Sequence, residues 1–595
     1  MCARDLLRGR LANPYTTDMS GWPVPVDPRR EDPGCAPGGF GVQVRLATAR
    51  GLLLLVLLYL VTYGRTAGFD FVWDDPGNFS RSPLMHGPLS GVIRKGEHAR
   101  GDPGIERMPT DLVPRHESYR PVSVVSHWMD LRLFGDRPGF MHLHSILLGL
   151  LSIVLVYILA GKLGMGLWLP GLWALHPLHV EVFAYLSARS DLLAAIGSLG
   201  ALIFGIRSSD SHSTRARWSW AIAASALHWL SLLAKEANLG LPFAFLALAL
   251  ARGKLRASAG CFFALVLATA AYFPSRSLLM QAVSLPMAQP EALLRSAVDC
   301  PGVILAYVAS FASPFSLSPD RQLWPPIVPI GWALLVLLAA ALVLAWRRIS
   351  PASKPDLRLA ALATLALGPL LLPAALGVRS IGALSDRYVF FSFFFLSLAG
   401  LALARALARW LRSCPRLLRT GPAVIWAGIV LATTWLQVGI WRDDGTLARY
   451  AATIEPDNSA ALYRLATIAT MRGQFATALP LLERSVARDP GNRRALNNLA
   501  VTYLNLGRVA DAKAVLRRMS PLARSTDKRY WYNVASVQIA DGKLDKACGA
   551  LAQALEIDPG YPLALALRAQ ACSSPPVSPD PSAVPSTSPD ARPRP

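Results

Sequence analysis

The chain has 595 residues, 53% hydrophobic and only 16% charged, against about 25% charged in soluble domains, and its mean hydropathy is +0.35. That balance excludes a protein solvated by water throughout and calls for lipid around a long central part. The net charge is +22, from 60 Lys and Arg against 38 Asp and Glu. Because the basic residues sit mostly in short gaps between apolar runs, they read as determinants of membrane orientation and not as a nucleic-acid surface.

Residues 1–44 are polar and rich in Pro, Gly and Arg, the composition of a disordered cytoplasmic tail. The first long apolar run starts near Leu46, so no cleavable signal peptide is expected. Candidate spans follow at 46–64, 142–162, 165–183, 190–206, 218–235, 238–251, 257–275, 327–346, 359–377, 387–406 and 421–440. Most approach the roughly 20 residues needed to cross hydrocarbon. Basic clusters fall at Arg207/Arg215/Arg217, Arg252/Lys254/Arg256, Arg347/Arg348/Lys354/Arg358 and Arg405/Arg409/Arg412/Arg416/Arg419. The positive-inside rule puts all of them on the cytoplasmic side. A crossing by the ambiguous run 301–318 would move the last two clusters outside, so that run is read as interfacial or re-entrant. About eleven spans then remain, with the N-terminus inside and the C-terminus outside.

This topology collects ionisable residues at one boundary, where they are costly and suggest function. The long external loop 66–140 opens with Phe69-Asp70-Phe71-Val72-Trp73-Asp74-Asp75. Two adjacent carboxylates push one another's proton affinity up, which suits a proton acceptor or a cation site; a DD pair can equally be a solvated turn. The next external turn carries His176, His179 and Glu181, then Arg189, Ser190 and Asp191. Two histidines and a glutamate could ligate a divalent cation, but the spacing matches no standard zinc signature. Substrate hydrogen bonding or anchoring of the span end is the competing reading. Arg189 could pair with Asp191 or face a phosphate. Lys235-Glu236, Arg276 and Asp386-Arg387 mark further span ends, either as interfacial anchors or as cations for a lipid-linked phosphate. No Walker A, GxSxG, HExxH or dinucleotide-binding GxGxxG motif is present.

After Trp441 the apolar runs stop and a period appears. Gly473, Gly507 and Gly542 recur at 34–35 residues, as do Ala466/Ala500/Ala535 and Ala478/Ala512/Ala547. Pro456, Pro490 and Pro559 mark repeat ends. This is the period of tetratricopeptide (TPR) repeats, helix pairs held close by small residues, and it predicts a three-repeat α-solenoid over 455–572. Residues 573–595 are Pro/Ser-rich and expected to be disordered. The seven cysteines show no CxxC spacing, although Cys548 and Cys572 could pair in an oxidising compartment.

The motifs WDD (73–75), YRPVS (119–123), FGDRPGFMHLHSILL (134–148), HPLHVE (176–181), SARSDLLA (187–194), LLAKE (232–236) and SDRYVFF (385–391), followed by the repeats, resemble the transmembrane and TPR-containing O-mannosyltransferases and their bacterial relatives. Those belong to the GT-C class of membrane glycosyltransferases, and the likeness spans roughly 46–570. It implies an all-α fold, a polytopic GT-C-like helix bundle over 45–441 followed by the TPR solenoid. It also implies transfer of a sugar from a polyprenyl-phosphate donor to a protein hydroxyl on the extracytoplasmic face. By the same resemblance Asp74 is the general base, Asp75 its acidic neighbour, and Arg189 lies near the donor phosphate. Lys235, Arg276 and Arg387 are then candidates to assist Arg189, and His176, His179, Glu181 and Asp191 are substrate-site candidates. The partners expected are the lipid-linked sugar, membrane lipid, and an acceptor polypeptide held by the TPR groove. The Ala/Arg/Leu-rich composition points to a high-GC bacterium, hence an inner-membrane protein with a periplasmic repeat domain. Two competing readings are a membrane-anchored TPR scaffold without catalysis and a transporter, the latter requiring polar residues deep in the spans.

Overall fold

The computed structural model describes residues 15–17, 23–25, 38–75, 83–90, 120–280, 290–315, 317, 321, 326–346, 353–381, 384–411, 415–519 and 527–572. The polar N-terminal stretch contains a short antiparallel pair, Tyr15–Thr17 against Pro23–Pro25, and a helix α1 from Gly38 to Tyr63. The rest of the expected 1–44 tail, and all of 573–595, lie outside the described residues.

Beyond α1 the described chain is helical, as it must be where lipid offers the backbone no hydrogen bonds. The bundle comprises α2 Pro121–Phe134, α3 Pro138–Leu163, α4 Trp168–Leu175, α5 Val180–Ala184, α6 Arg189–Asp210, α7 Thr214–Ala234, α8 Leu241–Ala251, α9 Leu255–Met280, α10 Pro290–Ala312, α11 Ile327–Trp346, α12 Lys354–Ile381, α13 Ser392–Trp410 and α14 Arg416–Ile440. Prolines at the first turn start α2 and α3, where the missing N–H costs nothing. Among the described residues eight helices are long and apolar enough to cross a membrane. The expected span 165–183 is broken. It runs as α4, a 3-10 turn Pro177–His179 and α5, because Pro177 cannot continue the helix. Small polar residues join the helices: Ser198 bonds Ser231 at 2.8 Å, Ser209 bonds Ser258 at 2.7 Å, and Asn238 donates to Ser198 at 2.9 Å. Such contacts contribute about 0.6 kcal/mol each.

Contacts sort the helix ends into two sets. One end is tied together by basic residues. Arg252 pairs with Asp210, Arg358 donates to the Leu250 carbonyl, Arg405 donates to the Gly164 carbonyl, and Asp356 holds both Arg405 and Arg409. At the other end Lys235 lies 5.5 Å from the Tyr388 ring and Arg120 pairs with Glu236. In helix α10 the stretch Leu294–Ala312 is long and apolar enough to span. Cys300 reaches the Gly368 carbonyl midway along α12, and Tyr307 donates to the Ser385 carbonyl at 2.6 Å, so α10 runs beside α12 toward the second end. After α10, Arg321 pairs with Asp386 and bridges Leu384 there.

The repeats follow as α15 Asp444–Ile454, then the pairs α16 Ser459–Met471 with α17 Phe475–Arg488, α18 Arg493–Asn505 with α19 Val509–Arg518, and α20 Lys528–Ala540 with α21 Leu544–Ile557, closed by α22 Pro562–Ala571. Gly473, Gly507 and Gly542 adopt φ of +71°, +73° and +73° between the members of each pair, a conformation that needs glycine. The six periodic alanines are all fully buried. Asn458, Asn492 and Asp527 cap the first helix of each pair by accepting backbone N–H bonds. Cys548 and Cys572 form a disulfide that staples α22 to α21.

Candidate functional site

The chain leaves α1 through a 3-10 turn, Gly64–Gly68, and anchors itself on buried Phe69 and Val72. Trp73 then takes φ +55°, the one non-glycine residue with positive φ among the described residues. This turn separates the two carboxylates. Asp75 points inward and is fully buried, accepting from the Ser187 hydroxyl at 2.6 Å, the Ser187 N–H at 2.9 Å and the Val72 N–H at 3.2 Å. Burial pushes its carboxyl up to about 7 in spite of those donors. Asp74 stays exposed, with the Tyr185 hydroxyl 3.5 Å away. One carboxylate thus pins the loop and the other is presented.

Tyr185 connects Asp74 to the cations. The Arg387 guanidinium lies 5.7 Å from the Tyr185 ring and 5.6 Å from the Tyr388 ring. Lys235 Nζ is 5.5 Å from that same Tyr388 ring. Each cation has its own carboxylate. Glu181 lies 3.6 Å from Arg387 and accepts from the Arg387 N–H and the Ser385 hydroxyl. Asp191 accepts both of its short bonds, 2.7 and 2.6 Å, from Lys235. The sequence candidates Asp74, Asp75, Glu181, Asp191, Lys235 and Arg387 are therefore brought to one place. Arg276 is buried and donates to Tyr272 at 3.3 Å, on the side of Glu236 and Arg120.

Three candidates are placed differently. Arg189 is wholly enclosed. Its guanidinium donates to Asp130 at 2.5 Å, Ser126 at 3.3 Å and the Met141 carbonyl at 2.7 Å, and its Nε donates to Ser145 at 3.0 Å. It pairs with Asp130 and not with Asp191, and its guanidinium is enclosed by protein. His176 and His179 are also fully buried. His176 contacts the Phe311 carbonyl and accepts from the Leu178 N–H, capping the turn broken by Pro177. His179 Nδ1 bonds the Trp173 carbonyl at 2.6 Å and packs on Phe390 and Phe393. Both are packed into an aromatic cluster with Phe311, Phe390 and Phe393. Among the described residues no group of three or more His, Cys, Asp or Glu is placed to hold a metal ion.

Sequence reasoning passed over several members of the site. Arg120 pairs with Glu236 at 3.0 Å. Burial raises the Glu236 carboxyl, but the Arg120 guanidinium outweighs it and holds the group down at about 2. Arg321 pairs with Asp386. Tyr185 stacks against Trp441, which in turn meets Trp73 edge-on at 5.1 Å. YRPVS and SDRY were visible as motifs, but their partners come from distant parts of the chain.

Comparisons with known proteins match this arrangement in two parts. Tetratricopeptide-repeat family models match residues 445–492, 469–536 and 528–561. The chain is also similar to a protein O-mannosyl-transferase of Caenorhabditis elegans, 27% identical over 170 residues, which is 27% of this chain and 24% of that protein. Protein O-mannosyl-transferase Tmtc1 of Drosophila melanogaster is 31% identical over 192 residues, 31% of this chain and 21% of that one. Protein O-mannosyl-transferase TMTC1 of Homo sapiens is 30% identical over 173 residues, 28% of this chain and 19% of that one. The matched part of the chain spans a quarter or less of the length of these curated relatives. Among solved structures, YrrB, described as a TPR protein with an unusual peptide-binding site, is 18% identical, with 36% of this chain and 92% of that one covered at a TM-score of 0.19.

Proposed function

We propose that this protein is a membrane glycosyltransferase that moves a sugar, mannose or another hexose, from a polyprenyl-phosphate donor to a Ser or Thr hydroxyl of a protein on the extracytoplasmic face. The observation that carries this reading is an exposed Asp74 carboxylate fixed beside a fenced group of cations at one end of an apolar bundle. Similarity to the protein O-mannosyl-transferases supports the reaction class.

Asp74 takes the proton from the acceptor hydroxyl. The acceptor oxygen attacks the anomeric carbon from the face opposite the lipid phosphate, and the carbon–oxygen bond to that phosphate breaks with inversion. The departing phosphate keeps the bonding electron pair, and Arg387 and Lys235 stabilise its charge. Glu181 and Asp191 hold those two cations still, so no reorganisation is needed as charge develops. Arg189, at the head of α6, braces α2 through Asp130 and α3 through the Met141 carbonyl. The lipid tail lies between the spans and the repeats hold the acceptor. The disulfide between Cys548 and Cys572 suits a repeat domain on an oxidising side, here the periplasmic face of a bacterial inner membrane.

The test is product formation by purified protein supplied with radiolabelled polyprenyl-phosphate mannose and a Ser/Thr-containing acceptor peptide. Asp74→Asn is expected to lose about 10²–10⁴-fold in kcat with folding unchanged. Full transfer by Asp74→Asn overturns the assignment. Normal partner binding with no binding of lipid-linked sugar by the native protein favours the scaffold reading instead.

A further inference from the structure

The loop that presents Asp74 is tied to the segment that follows the membrane bundle. The Asp70 N–H donates to the Arg442 carbonyl at 3.1 Å, and the Trp73 N–H donates to Asp444 Oδ1 at 2.7 Å. Arg464, on the first helix of the first repeat, sets its guanidinium 4.4 Å from the centre of the Trp73 ring. Trp441 and Tyr185 close two further sides of that ring, at 5.1 and 5.5 Å. The conformation held this way is unfavourable in itself. Trp73 has a left-handed backbone, and its buried indole N–H finds no hydrogen-bond partner among the described residues. A bulky residue keeps such a geometry only where its surroundings over-determine it. Here the surroundings that do so come from residues 441, 444 and 464, about 370 or more positions along the chain.

We propose that Trp73 is a positioning residue through which the repeat domain sets the Asp74 carboxylate in place. Asp444 fixes the backbone of the turn, Arg464 and Trp441 fix its ring, and Asp74 is the next residue in the chain. Asp75, bonded to Ser187 on the bundle, pins the far side of the same turn. The presented carboxylate thus spans two supports, one in the membrane bundle and one in the repeats. When the repeat support is removed, the turn relaxes from its left-handed conformation and Asp74 leaves the acceptor. The proposal uses the transferase reading for the role of Asp74, but the tie itself is a structural claim that can be tested without activity.

Hydrogen–deuterium exchange of segment 69–75 in the detergent-solubilised full chain reads the tie directly. Asp444→Ala and Arg464→Gln are each expected to speed exchange in 69–75 at least ten-fold while the repeat helices keep their protection. Asp444→Asn, which retains an oxygen to accept the Trp73 N–H, is expected to restore protection. In the transfer assay with radiolabelled polyprenyl-phosphate mannose, Asp444→Ala is expected to lower kcat about ten-fold with KM for the lipid-linked sugar unchanged. Exchange in 69–75 that does not change overturns the proposal. A rise shared equally by the whole chain overturns it too, since the contacts would then be general stabilisers, and so does a change confined to KM. Selective release of 69–75 in a native protein that shows no transfer retains the tie and overturns the transferase reading.

Discussion

The membrane bundle and the repeat domain use charge in opposite ways. In the bundle, Arg189 and Asp130 are 0% and 2% exposed, and Lys235 and Asp191 are 7% and 4% exposed. In the repeats, Arg488 and Asp457 are 56% and 60% exposed, and Arg508 and Asp511 are both 46% exposed. The repeats are held by their fully buried alanines and by Leu462, Leu482 and Leu496, with charge left to water. The enclosed bundle charges have little water to fall back on, so each fixes the position of its partner. Position, more than stability, is what the enclosed pairs supply, and a preorganised site needs position.

Breaking the comparison at its most enclosed point gives the largest effect. Asp130→Ala leaves the Arg189 guanidinium buried without its partner and is expected to cost about 3–5 kcal/mol. Thermal unfolding in detergent reads this, and the double variant Asp130→Ala/Arg189→Met recovers most of the loss. A single variant that melts like the native protein shows the pair to be dispensable. Next comes the repeat domain's covalent support. The disulfide closes a stretch with a sequence separation of 24, worth about 3 kcal/mol to the terminal repeat by the loop-entropy relation. Cys548→Ser/Cys572→Ser is expected to release α22 to limited proteolysis while the bundle stays intact.

A smaller effect follows pH. The Asp75 carboxyl is raised by burial to about 7, above its value in an unfolded chain, so the native loop binds more protons between about pH 4 and 7. The stability it contributes is therefore present when it is protonated and falls as pH rises through about 7. Protection of segment 69–75, corrected for intrinsic exchange, is expected to drop about thirty-fold from pH 5.5 to 8, equal to about 2 kcal/mol. Asp75→Asn is expected to flatten that profile, and a slope that survives the substitution assigns it to another group. The smallest effect sharpens the contrast: Arg488→Ala, breaking an exposed pair, is expected to change stability by under about 1 kcal/mol.

Much of this was legible in the sequence because it is periodic or local. Apolar runs announce helices, the 34-residue spacing announces the repeats, and the basic clusters mark one end of the bundle. Proximity of Glu181, Asp191, Lys235 and Arg387 followed from topology, since each ends a span at one boundary. What escaped is what depends on partners far along the chain. For Arg189 the sequence offers Asp191 nearby or a phosphate, whereas its partner Asp130 lies 59 residues earlier. His176 and His179 are of ligating residue type, but their enclosure by the rings of Phe311, Phe390 and Phe393 has no local signal. Pro177 splits one expected span into three short pieces, a break that the hydropathy of 165–183 does not reveal. The tie from Trp73 to Asp444 has no local signal, because it joins residues 371 positions apart.

The pairing of Arg189 with Asp130 also bears on how the chain is made. Asp130 lies on α2, which is not among the helices long and apolar enough to cross a membrane, and Arg189 heads α6, within a stretch that is. The segment carrying Asp130 emerges from the ribosome first, 59 residues ahead of the guanidinium it is enclosed with. That segment can therefore seat on the bundle only after α6 has been made, and a variant lacking either charge is expected to leave it exposed for longer during synthesis.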